Sequence, residues 1–185
     1  LLLAAGADVN VATKRGRTAL ILAALSDRSA PIVRLLVANG ANTKAVDVLK
    51  VTTLAAATIG GDLETIQMMV DAGVPIDDPD FAGFTPLMNA SFGANLAAVK
   101  LLLSKGANVN AVSKTEGLPR IQTGIVEFGG FTPLLMAVPF GPPEIVRTLM
   151  DAGAKVNVQD YRTFTPLMLA AATDRANPET VRLLL

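Results

Sequence analysis

The groups that could do covalent chemistry are few and badly spaced. The 185 residues contain no His and no Cys. The commonest general base, the imidazole metal ligand and the thiolate nucleophile are therefore all missing. Asp77, Asp78 and Asp80 form an acidic cluster that could attract a cation, but the ligand spacing and closing Glu of a calcium loop are absent. Gly124, Gly129 and Gly130 are not followed by the G-K-[ST] of a phosphate loop. No spaced carboxylate pair stands out. Catalysis, a metal site and a cofactor are not expected. Lys14, Arg15 and Arg17 form a basic cluster, read either as a solvated turn or as a grip on an acidic part of a partner.

The distinctive chemistry is aromatic. The chain has seven Phe, one Tyr and no Trp, and three of the Phe fall in FAGFTPLMNASF at 81–92. A ring buries a large area wherever it is placed. These rings either fill the interior or present something on the outside, and the elements that carry them decide which.

Composition narrows the choice. Apolar residues make up 51% and charged residues 17%, which describes a folded chain. The formal net charge is zero, which argues against a nucleic-acid binder and gives no pull toward anionic lipid. No apolar run approaches the roughly 18 residues of a membrane span. The opening LLLAAGADVN lacks the basic lead of a signal peptide. The reading is a soluble chain, with cytoplasm and periplasm both open.

The carrying elements repeat. GFTPLMNA at 83–90 returns as GFTPLLMA at 130–137 and TFTPLMLA at 163–170, with weaker copies GRTALILA at 16–23 and KVTTLAAA at 50–57. The threonines Thr18, Thr52, Thr85, Thr132 and Thr165 are spaced by 34, 33, 47 and 33 residues. Thr before Pro is a helix start, because the hydroxyl caps free N–H groups and Pro suits the first helical position. Leu87, Ala90 and Ser91, like Leu134, Ala137 and Val138, recur at helical spacing, and the small members let helices approach closely. Val99, Leu102 and Leu103 form the stripe of a second, amphipathic helix. Gly6, Gly40, Gly73, Gly106 and Gly153 then fit left-handed helix stops. Each unit reads as turn, short helix, short helix. One unit cannot bury its apolar face; stacked units share a core.

With its G-x-T-P-L openings (Gly83 to Leu87, Gly130 to Leu134), its V-x-L-L-L-type second helix (Val99 to Leu103) and its A-G-A-x-V-N ending (Ala5 to Asn10), the chain resembles the ankyrin repeat family. The resemblance implies an all-α fold, an ankyrin-repeat α-solenoid, as a single domain over 1–185. Its repeats would run 13–46, 47–79, 80–126 and 127–159, with partial repeats at 1–12 and 160–185. Three departures stand out. The His that usually follows T-P-L and ties adjacent turns is replaced by Ile21, Ala55, Met88, Leu135 and Met168, so apolar packing must substitute. Lys50 and Thr163 stand where the turn Gly is expected, which implies strained or differently shaped turns. The step from Thr85 to Thr132 is 14 residues too long, with the extra chain around 111–126.

Measured from the nearest threonine, Phe84, Phe131 and Phe164 stand one before it. Phe81, Phe128 and Tyr161 stand four before it, and Phe92 and Phe140 stand seven and eight after. None falls on an inward stripe. In the family these columns are the fingertip turn and the exposed end of the first helix, which line the concave recognition face. The resemblance therefore implies a non-catalytic scaffold that binds another protein through these eight rings, with Arg15 and Arg17 as a further contact. An apolar small molecule or lipid in the same groove is the alternative. The first column can also serve turn packing, its rings stacking along the array. The insertion, with Ile121, Thr123 and Ile125 alternating, can extend the binding finger, fold over Phe128 and Phe131, or form a mobile loop. Apolar residues at both ends, Leu1–Leu3 and Leu183–Leu185, point to a segment of a longer chain or to end-to-end self-association.

Overall fold

The computed structural model describes residues 6–114, 129–172 and 177–185. Phe128 and most of the insertion lie outside the described residues. The helices come in pairs: α1 (Ala19–Ala24) with α2 (Ala30–Ala38), α3 (Thr53–Gly60) with α4 (Leu63–Asp71), α5 (Pro86–Phe92) with α6 (Leu96–Ser104), α7 (Pro133–Ala137) with α8 (Pro143–Asp151), and α9 (Pro166–Ala172) with α10 (Pro178–Leu184). Among the described residues there is no strand, only an isolated antiparallel bridge between Val46 and Thr52. The first helices of successive pairs pack on one another as one layer, and the second helices form a second layer. This is the all-α solenoid the repeats imply.

Each first helix starts as its sequence dictates. The hydroxyls of Thr18, Thr52, Thr85, Thr132 and Thr165 accept from the N–H of Ile21, Ala55, Met88, Leu135 and Met168 at 3.3, 3.1, 3.4, 3.3 and 3.2 Å. Such caps satisfy donors that a helix leaves open. The second helices α2, α4, α6 and α8 end in left-handed glycines. At Gly106, φ is +86°, and the N–H groups of Gly106 and Ala107 reach back to Leu103 and Leu102.

Helices of five to nine residues are too short to persist alone, so packing must hold them. Leu20, Leu54, Leu87 and Leu134 are 0% exposed and make one continuous column between the layers. Ile66, Met69, Val99, Leu102, Ile145 and Leu149 close it from the second helices. Small residues set the spacing: a Cβ added to Gly60 would stand 2.4 Å from the Ala24 carbonyl oxygen.

The residues after T-P-L behave as their chemistry requires. Ile21, Ala55, Met88 and Leu135 are buried, whereas Met168 is exposed. Apolar packing is not the whole substitute, however. Asn10 donates to the Gly40 carbonyl and accepts from the N–H of Asn42. Asn110 repeats both bonds with Gly153 and Lys155, and Asp77 accepts from the N–H of Asn108. Ser29 meets Thr65, Asp62 accepts from the N–H of Ala30, and Asn95 donates to Gly61. Short side chains in the turns therefore rebuild the polar ties from other positions, since an amide carries donor and acceptor together.

Candidate functional site

Each finger is built on one oxygen. Thr13 Oγ1 accepts from the N–H of Arg17. Asp47 Oδ1 accepts from Leu49 and Val51, Asp80 Oδ1 from Ala82 and Phe84, and Asp160 Oδ1 from Arg162 and Phe164. In the fourth finger the oxygen is Ser113 Oγ, which accepts from the N–H of Phe131 at 3.0 Å. The Ser113 N–H also donates to the Phe131 carbonyl, as Asp80 does to Phe84. Ser113 and Phe131, one on either side of the additional chain, are thus paired at the base of one finger.

Neighbouring fingers are joined by a row of backbone bonds. The N–H of Val48, Phe81, Lys114 and Tyr161 donate to the carbonyls of Arg15, Leu49, Ala82 and Gly129, at 3.0, 2.8, 3.1 and 3.1 Å. The row runs through Lys114 and Gly129, the two residues that bracket the inserted segment. Lys114 takes the place in this row that Phe81 and Tyr161 take in theirs, one residue after the anchoring oxygen.

The residue two before each capping threonine has the same left-handed backbone. Gly16, Lys50, Gly83, Gly130 and Thr163 have φ of +73°, +59°, +84°, +70° and +65°. Lys50 and Thr163 do not reshape the turn; they occupy the glycine conformation at a strain of about 1–2 kcal/mol each. Gly83 has a second reason to be glycine, since a Cβ there would lie 2.5 Å from the Lys114 nitrogen. Burial raises the Asp80 carboxyl above its usual 3.8, against the lowering by the N–H groups of Phe84, Ala82 and Gly83, and the nearby Asp47 charge raises it further.

The aromatics divide into two groups. Phe84 and Phe131 stack with centroids 6.3 Å apart and planes at 27°, and Phe131 meets Tyr161 edge-on at 6.4 Å. Phe84, Phe131, Tyr161 and Phe164 are half-buried, and Phe131 and Phe164 pack against the core. Phe81, Phe92 and Phe140 are 42%, 52% and 60% exposed. Phe92 and Phe140 meet edge-on at 5.2 Å across the ends of α5 and α7. No ring among the described residues enters the fully buried core, which is Leu, Ile, Val, Met and Ala.

Between the two groups lies a hollow of about 350 Å³. Phe92, Phe140, Phe131 and Tyr161 line it, together with Leu135, Met136, Pro139, Leu169 and Arg162. Sequence reading missed these last five. Met136 and Leu169 sit four after their threonines, a position that helical spacing does not separate from the core. Arg162 donates from Nε and Nη2 to Asp160 Oδ2 at 3.0 and 2.7 Å. Its guanidinium lies 5.4 Å from the Tyr161 centroid and 5.0 Å from that of Phe164, within cation–π range.

The basic fingertip is split by the structure. Lys14 and Arg15 are exposed. Arg17 is committed to the next finger, with Nε 3.1 Å from Asp47 Oδ2. The acidic cluster is committed as well, since Asp77 holds Asn108 and Asp80 holds its own turn. Among the described residues no three acidic side chains converge as a metal site. No helix among them is long and apolar enough to cross a membrane.

Comparison with known proteins agrees with this architecture. The family model for ankyrin repeats (3 copies) matches residues 1–80, 28–113 and 119–185. The ankyrin repeat, SAM and basic leucine zipper domain-containing protein 1 of Eulemur macaco macaco is 38% identical over 61 residues, 33% of this chain and 13% of the relative. Its counterparts in Otolemur garnettii and Nomascus leucogenys are 38% and 40% identical over 58 and 50 residues, 31% and 27% of this chain. The aligned part is only 12% and 10% of those two relatives. Ankyrin repeats are in general protein–protein interaction modules on non-catalytic scaffolds, and with its capped helix pairs, hydrogen-bonded fingers and matched repeats this chain belongs to the ankyrin repeat family.

Proposed function

We propose that the chain is a non-catalytic scaffold that binds a protein partner on its finger-side, aromatic-lined face, the concave face in the family's architecture. The observation that carries this is the apolar hollow flanked by exposed Phe92 and Phe140 and by the Phe84–Phe131–Tyr161 row. Exposed apolar patches of this kind mark interaction sites, and aromatic anchors carry much of the affinity of an interface. Backbone bonds from finger to finger hold the row in place before binding, which lowers the ordering cost of association. The contact set is Phe81, Phe84, Phe92, Phe128, Phe131, Phe140, Tyr161 and Phe164, with Arg15 at the far fingertip. Arg17 supports that fingertip through Asp47.

The test is site-specific photo-cross-linking in lysate of the source organism. A photoreactive phenylalanine replaces Phe140 in one bait and Ile32, exposed on α2, in another. A cross-linked protein obtained from the Phe140 position alone supports the reading. Adducts from Ile32 alone would place recognition on the second-helix face and overturn it.

A second reading is an apolar small molecule or lipid in the same hollow. Its volume lies at the lower end of ligand pockets, which supports the idea. Native mass spectrometry of purified protein distinguishes the two: a retained apolar ligand that is lost in Met136→Glu would favour this second reading.

A further inference from the structure

We propose that the finger row and the hollow beside it together read an acidic segment of a partner protein, one that carries a bulky apolar side chain next to a carboxylate. This rests on the scaffold reading and adds the chemistry of what is bound.

The first observation is charge segregation. From each anchoring oxygen to its capping threonine, the described fingers contain Lys14, Arg15, Arg17, Lys50, Lys114 and Arg162. Their acids are Asp47, Asp80 and Asp160, and all three turn onto backbone N–H groups of their own turns. The side chains of Asp47 and Asp160 are 1% and 0% exposed. The whole chain has a formal net charge of zero, yet the described fingers present cations and draw their acids inward. Asp78 shares a separate hollow with Lys50 and Lys114. Among the described residues no acid lines the hollow beside Arg162.

The second observation is the makeup of that hollow. Among the described residues Arg162 is the only charged one lining it, and Leu135, Met136, Pro139 and Leu169 offer no polar side chain. The guanidinium is held by Asp160 and by two rings, and its side chain remains 45% exposed. A guanidinium has five N–H donors, and the bonds to Asp160 use only part of them. A large aliphatic or aromatic side chain in the hollow, with a neighbouring carboxylate on Arg162, satisfies both surfaces. Arg suits a carboxylate because its donors form a planar fork. A nucleic-acid strand would meet the charge and could stack a base on the rings, so it is the rival that the experiment must exclude.

The experiment is fluorescence anisotropy of the 185-residue chain with labelled synthetic peptides. Each peptide has a central Phe flanked by Glu, Ser or Lys, and a single-stranded oligonucleotide serves as the rival polyanion. The Glu-flanked peptide is expected to bind about tenfold more tightly than the Ser-flanked one, with the Lys-flanked peptide weakest. Salt should erode that advantage, and replacing the central Phe by Ala should abolish binding. Arg162→Gln should remove the preference for Glu while leaving the Ser-flanked peptide unaffected. If that variant disturbs the finger, the salt titration of the unaltered chain decides. Equal binding of Glu- and Ser-flanked peptides, a salt-independent preference, no peptide binding, or tighter binding of the oligonucleotide would each overturn the proposal. The Phe140 cross-link separates the levels: if it persists, only the partner chemistry is wrong; if it too is absent, the scaffold reading fails.

Discussion

Phe131 and Phe140 belong to the same repeat and are the same residue, but their surroundings differ. Phe131 sits at the base of a finger, packed on the core and in ring contact with Phe84 and Tyr161. Phe140 projects past the end of α7, 60% exposed, and Phe92 is its ring partner. The base-of-finger rings link one repeat to the next, so the structure already uses them. The helix-end rings contribute little to the fold and keep most of their surface for something else. Residue type alone does not separate anchor from mortar; the direction in which the backbone aims each ring does.

The comparison can be broken most sharply at Phe131. Phe131→Ala should destabilise the chain by about 2–3 kcal/mol, somewhat less than for a fully buried Phe. Urea unfolding followed by circular dichroism measures it, and a loss below about 0.5 kcal/mol would place Phe131 with the exposed rings. Phe140→Ala should show the opposite pattern. Stability should change by no more than about 0.5 kcal/mol, while affinity for the cross-linked partner falls by about 2 kcal/mol, as titration with that partner would show.

Two smaller effects test whether the fingers are a rigid frame. Lys50→Gly relieves a left-handed backbone at an exposed turn. It should stabilise by about 0.5–1 kcal/mol, the difference between the strain relieved and the added entropy of glycine. A drop in melting temperature would mean that the Lys50 side chain matters more than its backbone. The smallest effect belongs to Asp80, whose carboxyl is raised above 3.8. A raised acid binds its proton more tightly folded than unfolded. Its contribution to stability is therefore greatest at low pH and declines as pH rises from 3.8 through the raised value. Asp80→Asn, whose amide oxygen can still accept both turn N–H groups, should flatten that part of the stability–pH curve. An unchanged slope between pH 4 and 6, roughly, would refute the assignment.

Much of this architecture was written locally. Thr before Pro needs only its own turn to cap a helix, and the helix-stop glycines need only their own φ. Threonine spacing, apolar stripes and stop glycines therefore yielded the paired helices, the stacking and the all-α solenoid before any contact was known. Strained left-handed turns at Lys50 and Thr163 were one of the two readings the sequence left open, because the equivalent residues of the other repeats are glycines. The eight rings were correctly kept out of the fully buried core wherever the structure describes them, for the same reason: their positions relative to each threonine are periodic.

What required the tertiary structure were relations between segments far apart in sequence. Ser113 anchors a finger that closes at Phe131 across the inserted chain, a pairing that distance from Thr132 could not reveal. Arg17 turns from the exterior to Asp47 of the next finger, and Asn10 and Asn110 take over ties that their own repeats do not display. The hollow exists only because α5, α7 and α9 bring Phe92, Met136 and Leu169 together. A repeating sequence determines each unit, because capping and helix burial act over a few residues. It does not determine what adjacent units create between them, because that depends on surfaces that meet only when the units stack.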